Sequence, residues 1–556
     1  MKSCMCVLTV VASLFLSACG GNGASTTPPP PPPTYTIGGA VQGLSGTGLV
    51  LQDNSGNNLS VGANGAFAFP TPLVSGSAYS VTVLTQPSSP AQNCMVTNGN
   101  GNASADVANV QIACVGEWAW VGGSQLEFQL GIYGTLGSAA PGNVPGARDS
   151  AVSWTDASGN LWLFGGELID DEEDQGLLSD LWQYSPSSGE WTWMSGSNTT
   201  NQSGVYGTPG MASSNNVPGA RLSATSWTDA SGNLWLFGGG GFSTSALGEL
   251  NDLWKYTPSS GEWTWMGGSN AAGQPGVYGT LGLAAAGNVP GARELAVTWT
   301  DTSGNFWLFG GAGIDSLGTS GGLNDLWKYN LSLGQWTWMG GSEYVNQLGS
   351  YGIQGTAAPG NVPGARANAA TWIDASGNLW LFGGRDFNSS GETFEFLNDL
   401  WEFNPSAGEW TWVGGSSAVD QLGIYGTQGI AAPGNIPGAR SQMVSWTDAE
   451  GNFWFFGGSG YDSQGNGGCS CLNDLWKYSA GQWTWMGGSN VVGIAGIYGT
   501  EGMPAPGNVP GSRIGPPIGW TDRSGNFWLF GGFGLGAGST PLSGLGEFND
   551  LWQYQP

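Results

Sequence analysis

The chain has 556 residues, of which 12 are Lys or Arg and 39 are Asp or Glu, giving a net charge of −27 with no histidine. So acidic a surface repels phosphate backbones and argues against nucleic acid as a partner. Without His there is no Ser-His-Asp or Cys-His nucleophile pair and no His-ligated zinc or copper. Collagen is excluded because the 100 glycines have no period of three, and a composition 40% hydrophobic and 12% aromatic can build a core.

Residues 1–19 read as a secretion signal. Lys2 is the charged start and Val7–Leu16 a ten-residue apolar stretch, too short to span a bilayer. It ends in Leu16-Ser17-Ala18-Cys19, which resembles the lipobox of bacterial lipoproteins. The resemblance implies that Cys19 is lipidated and becomes the mature N-terminus. With Gly rather than Asp at position 20, it also implies retention at the bacterial outer membrane, facing the periplasm or the cell exterior. Residues 20–34 form a Gly/Ser/Pro-rich linker. Its six consecutive prolines, Pro28–Pro33, favour an extended polyproline spacer.

Residues 35–115 carry short alternating stretches such as Tyr79–Leu84, separated by Asn/Gly/Ser turns, which predicts a small β-sandwich. The pattern resembles carboxypeptidase-regulatory-like modules. Four cysteines remain after the signal and Cys19, an even number suited to an oxidising compartment. Cys94 with Cys114 is expected to close the end of this domain, and Cys469 with Cys471 to staple a loop, a redox or metal role for that pair being the alternative.

Residues 117–556 repeat. The Phe of an FGG motif recurs at Phe164, Phe237, Phe309, Phe382, Phe456 and Phe530, a period of 72 to 74 residues. Each unit carries four apolar or alternating stretches, as in Arg221–Asp229, Asn233–Gly239, Asn251–Tyr256 and Glu262–Gly268. Four antiparallel strands per unit predict an all-β propeller. The Arg, the double Gly, the aromatic after NDLW and the final Trp together resemble the kelch motif, which implies a six-bladed kelch-type β-propeller. Complete units hold five Trp, but the last ends at Pro556 without its W-x-W, and the missing pair stands ahead of the first unit as Trp118 and Trp120. The N-terminal segment is therefore expected to supply the outer strand of the sixth blade.

Two connections differ in regularity. From the second Trp of W-x-W to the next repeated Arg is 28 residues in all six copies, with a Tyr 13 residues in. From the FGG Phe to the NDLW Asp, the distance varies from 15 to 20. In a propeller both connections emerge on one face, and this varied face is where a ligand is expected. The tyrosines Tyr133, Tyr206, Tyr278, Tyr351, Tyr425 and Tyr498 are candidates for an aromatic platform for sugar rings, with packing the competing role. Arg148, Arg221, Arg293, Arg366, Arg440 and Arg513 are expected to pair with repeated aspartates such as Asp180 and Asp252; the alternative is an anion-binding ring around the channel. Asp170–Asp174, five acidic residues found in one unit only, suggest a solvated loop, with Ca²⁺ as the alternative. Residues that break the repeat, Arg385, Phe387, Phe394, Phe396 and Tyr461, are candidates for specificity.

The kelch resemblance implies two enzyme readings. Galactose oxidase needs copper-ligating histidines and is excluded here; sialic-acid mutarotase does not need them. Near-equivalence of six units suits a binding module better than a one-site enzyme. The expectation is a lipid-anchored binder of a glycan or protein at the varied face, with no catalytic residue, metal or cofactor, and with membrane contact only through the lipid. A sugar-ring isomerase or lyase is the alternative.

Overall fold

The computed structural model describes residues 30–169, 175–387, 395–467, 470–540 and 543–556. Cys19, the signal, the Asp170–Asp174 run, Phe394 and Cys469 lie outside the described residues. Every regular element among those described is a β-strand.

Two four-stranded sheets come first. One runs in the order Gly65–Ala68, Ile37–Gln42, Val107–Gly116, Gln92–Thr97; the other Asn57–Val61, Leu49–Asp53, Ala78–Thr85, Asn100–Asn102. They share one core of Ile37, Val41, Leu49, Leu51, Val81, Val110 and Ile112. Cys94 and Cys114 face each other across paired strands and are disulfide-bonded. This region rests on the last two repeat units, with Ala113 against Gly429 and the Gly116 amide donating to the Tyr554 hydroxyl at 3.1 Å.

The repeats form antiparallel sheets of four or five strands, a propeller-like arrangement. In unit two the order is Arg221–Leu222 and Thr225–Thr228, then Leu234–Phe242, Leu247–Thr257 and Glu262–Gly267. The second strand is apolar on both faces because it is covered on both: Leu234, Trp235, Leu236 and Phe237 are all at most 4% exposed. Tight turns join the strands. Asp229 Oδ1 accepts from the amides of Ser231 and Asn233, and Oδ2 from the indole of Trp235.

Neighbouring units meet through aromatics in a cyclic series. The first Trp of each W-x-W packs on the FGG Phe of the preceding unit: Trp263 on Phe164 at 5.4 Å, Trp336 on Phe237 at 5.4 Å, Trp410 on Phe309 at 5.5 Å and Trp483 on Phe382 at 4.9 Å. Trp191 of unit one reaches Phe530 of the last unit at 5.4 Å, and Trp118 takes Phe456 at 5.4 Å. Trp118–Gly122 is the outer strand of the last sheet, with Trp118 opposite Tyr554 and Trp120 opposite Trp552. Inner-strand hydroxyls add a second tie between units: Ser153 donates to the Gly519 carbonyl, Ser226 to Ser153, Thr298 to Ser226 and Thr371 to Thr298.

Candidate functional site

The repeated Arg and Tyr belong to one buried polar module. In unit two Arg221 clamps Asp252 with both Nη atoms, at 2.7 and 2.8 Å, and gives its remaining donors to the carbonyls of Gly219 and Gly238. Tyr206 Oη and the indole of Trp254 both donate to Asp252 Oδ2 at 2.7 Å. Gly238 lies at φ +66°, where an L side chain is strained, and a Cβ there would strike the backbone of Leu250 and Arg293. The double Gly therefore delivers a carbonyl to the guanidinium at a point where two units touch. Burial works against the Arg221 charge, but Asp252 outweighs it and holds the guanidinium above its ordinary value. Burial, then the aspartate, raises the tyrosine as well, so it stays a donor.

The same pairing joins Arg148 to Asp180, Arg293 to Asp325, Arg366 to Asp399 and Arg440 to Asp474, with Tyr133, Tyr278, Tyr351 and Tyr425 donating to those aspartates. Unit six departs: Arg513 touches Asp550 through one Nη only and turns its other donors to the carbonyls of Gly531 and Leu535. Tyr498 still donates to Asp550. The six tyrosines are thus corrected from a ligand platform to scaffold, since each hydroxyl is spent on a buried carboxylate and each ring lies against a NDLW Trp, as Tyr206 does on Trp254 at 4.9 Å. With guanidiniums at most 1% exposed, the arginines offer no anion-binding ring.

Chemistry that differs from unit to unit collects one residue further along each strand. Beside the six arginines stand Asp149, Leu222, Glu294, Ala367, Ser441 and Ile514; beside the six FGG motifs stand Glu167, Gly240, Ala312, Arg385, Ser459 and Phe533. Strand pairing lays these positions side by side and adds a third: Leu222–Gly240–Glu249, Glu294–Ala312–Gly322, Ala367–Arg385–Phe396, Ser441–Ser459–Cys471. Asp149 pairs with Glu167, and Phe533 with Glu547. Carboxylates therefore crowd units six, one, two and three, while unit four brings Arg385.

A cavity of about 450 Å³ opens in the acidic sector, lined by Glu167, Glu249 and Glu294 among the apolar Leu177, Leu222, Phe242 and Leu247. Glu294 reaches over Gly240, where any Cβ would collide with its carboxylate. Burial raises Glu294, Glu249 and Glu167 add to the rise, and Arg385 counters it.

Four of the five residues that break the repeat come together across units three to five. The Arg385 guanidinium lies 5.0 Å above the Phe387 ring, Phe387 covers Gly322, and Phe396 meets Tyr461 edge to face at 6.4 Å. Phe396 is only 3% exposed and acts as support rather than contact surface. Cys471, expected to be stapled to Cys469, is a buried free thiol on the strand beside Ser459. Among the described residues no three His, Cys, Asp or Glu side chains gather as a metal centre.

The acidic residues Asp149, Glu167, Glu249, Glu294 and Glu547 were not singled out from the sequence. In the internal repeat Asp149 and Glu294 follow the repeated Arg, Glu167 follows FGG, and Glu249 and Glu547 stand three residues before the repeated Asp, all positions at which the six units differ.

No protein-family model matches the chain, and no curated protein matches it. One solved structure, titled "Structure of YjhT", is similar over its whole length to 78% of this chain, at 14% identity and a TM-score of 0.44.

Proposed function

We propose that the repeats are the blades of a six-bladed kelch-type propeller carrying a small β-sandwich, anchored by lipid at Cys19 on the outer membrane, and that the protein binds glycans at the varied face. The observation that supports this most is the cavity between Glu167, Glu249 and Glu294. Carboxylates accept hydrogen bonds from sugar hydroxyls, and Leu222, Phe242 and Leu247 offer apolar surface to sugar CH groups. The acidity of this sector selects neutral or amine-bearing sugars and disfavours acidic ones. A glycan array followed by calorimetry tests the reading: Glu249→Gln with Glu294→Gln should weaken any hit at least tenfold without unfolding, and an unchanged affinity rejects the site. Cys19→Ala should abolish partitioning into a detergent phase if the anchor is as proposed.

The raised, half-buried carboxyl of Glu294 supports a second reading, a sugar-ring isomerase. Such a group can give a proton to a ring oxygen while a neighbouring carboxylate takes one from the anomeric hydroxyl. Anomerisation of the array hits, followed by NMR, separates the two: a pure binder leaves the approach to equilibrium unchanged.

A further inference from the structure

Asp149 and Glu547 stand where unit one meets unit six. Asp149 follows Arg148 and pairs with Glu167, while Glu547 lies on the third strand of the last sheet, opposite Phe533. Glu547 is wholly buried and Asp149 is 8% exposed. Each has one carboxylate oxygen without a partner among the described residues, and Ser150 supplies Asp149 with a hydrogen bond. Glu547 Oε2 accepts from the Ile169 amide of unit one at 2.6 Å, but Oε1 has no partner among the described residues. Asp149 Oδ2 lies against Gly515 of unit six, where a Cβ would displace it, and Oδ1 has no partner among the described residues.

The charged surroundings do not supply the missing counterion. Arg148 acts on Glu547, but both its Nη atoms are committed to Asp180. Glu167 adds a third carboxylate that acts on both residues, and Glu294 lies beyond it. On the N-terminal segment packed over this strand, Glu127 stands against Gly546 and the Phe128 amide donates to the Glu547 carbonyl. Two buried anions with unpartnered oxygens are not tolerated; a proton on one of them removes a charge and provides a donor.

We infer that the joint between units one and six is built to hold protons on the buried Asp149 and Glu547 carboxyls, and that their loss to solvent leaves two buried charged carboxylates that loosen the joint. The electrostatics agree. Burial first, then Asp149, pushes the Glu547 carboxyl up to about 9, and burial pushes Asp149 up to about 7. Both folded values lie above the ordinary carboxyl range, so the folded chain holds protons that the unfolded chain releases. Stability is therefore full below about pH 4 and drains away as pH rises through about 7 and about 9. The inference is independent of what the neighbouring cavity binds.

The test needs no ligand. Amide exchange at Ile169, corrected for intrinsic base catalysis, and the melting temperature are followed from about pH 5 to about pH 10 in wild type, Glu547→Gln and Asp149→Asn. The Glu547→Gln side chain would keep a carbonyl acceptor for the Ile169 amide without the charge. In wild type, Ile169 should exchange on the order of tenfold faster at the alkaline end and the melting temperature should fall by a few degrees. Either variant should lessen the alkaline loss in both profiles by removing one of the two titrating groups, so the second keeps the test decisive should the first fail to fold. A wild-type profile as flat as the variants', or variants that keep the full alkaline loss, overturns the inference. So does an alkaline loss in wild type that Na⁺ or Ca²⁺ reverses, which would assign the joint to a cation instead.

Discussion

The repeated polar module and the positions beside it put similar residue types to opposite uses. In the module, one buried Asp in each unit takes an Arg, a Tyr and the Trp two residues on, as Asp252 takes Arg221, Tyr206 and Trp254. One residue beyond the Arg or the FGG, and on the strand paired there, Asp149, Glu167, Glu249, Glu294 and Glu547 stand outside that module, on positions where the units differ. Recurrence in all six units marks the carboxylates paired inside the scaffold. Divergence between units marks the carboxylates that stand outside that pairing.

The largest effect expected from breaking this contrast is at the closing strand. Deleting Glu117–Gly123 removes Trp118 and Trp120 and bares the third strand of the last sheet. At about 25 cal/mol/Å² over some 150–250 Å² for each large aromatic, the loss is several kcal/mol, comparable with the stability of a whole domain. Denaturant melting should show the repeat region unfolded or partly so, and a melt equal to wild type would disprove the closure.

Next is the buried module. Arg221→Ala leaves Asp252 buried without its counterion and should cost about 3–5 kcal/mol. The same change at Arg513 should cost less, because only one Nη reaches Asp550 there. Urea melts of the two variants side by side check the order. Tyr206→Phe removes one of several bonds to Asp252 and should cost about 1–2 kcal/mol, with no effect on glycan binding; a lost array signal in a folded Tyr206→Phe protein would restore the tyrosines as ligand contacts.

Smallest is the unmatched layer. Glu294→Gln should leave the melting temperature unchanged or slightly higher. Burial raises the Glu294 carboxyl, so its ionisation weighs against folding as pH rises. The gain over wild type should therefore grow from acid to alkaline buffer, which calorimetry at both ends can read. A fall in stability at high pH would mean that Glu294 is a structural anion like Asp252.

The repeat made the scaffold readable. FGG and W-x-W recur six times and NDLW five, with Ser179-Asp180-Leu181-Trp182 in unit one, and a missing Trp pair at one end with a spare pair at the other assigns Trp118 and Trp120 to the outer strand of the last sheet, where Trp118 stands opposite Tyr554. The pairing of Arg with the NDLW Asp was legible as well, since a charge recurring in every copy of an apolar strand needs a partner that recurs with it. The tyrosines misled because recurrence in a loop looks like a surface, and only the fold turns that loop back so that Tyr206 reaches Asp252 46 residues away. The residues that broke the pattern conspicuously, such as Arg385 and Phe387, were noticed, whereas single carboxylates among 39 acidic residues were not.

What the sequence determined by itself is periodic: strand positions, the partners that repeat with them, and the strand that completes the last sheet. These follow from local alternation and from counting, because each unit makes the same contacts as the next. The acidic layer was decided by tertiary structure alone. Asp149 and Glu547 are 398 residues apart in sequence and meet only because unit six folds against unit one. Charge and burial at such a joint depend on which ends are brought together, a property of the closed arrangement that no single repeat contains.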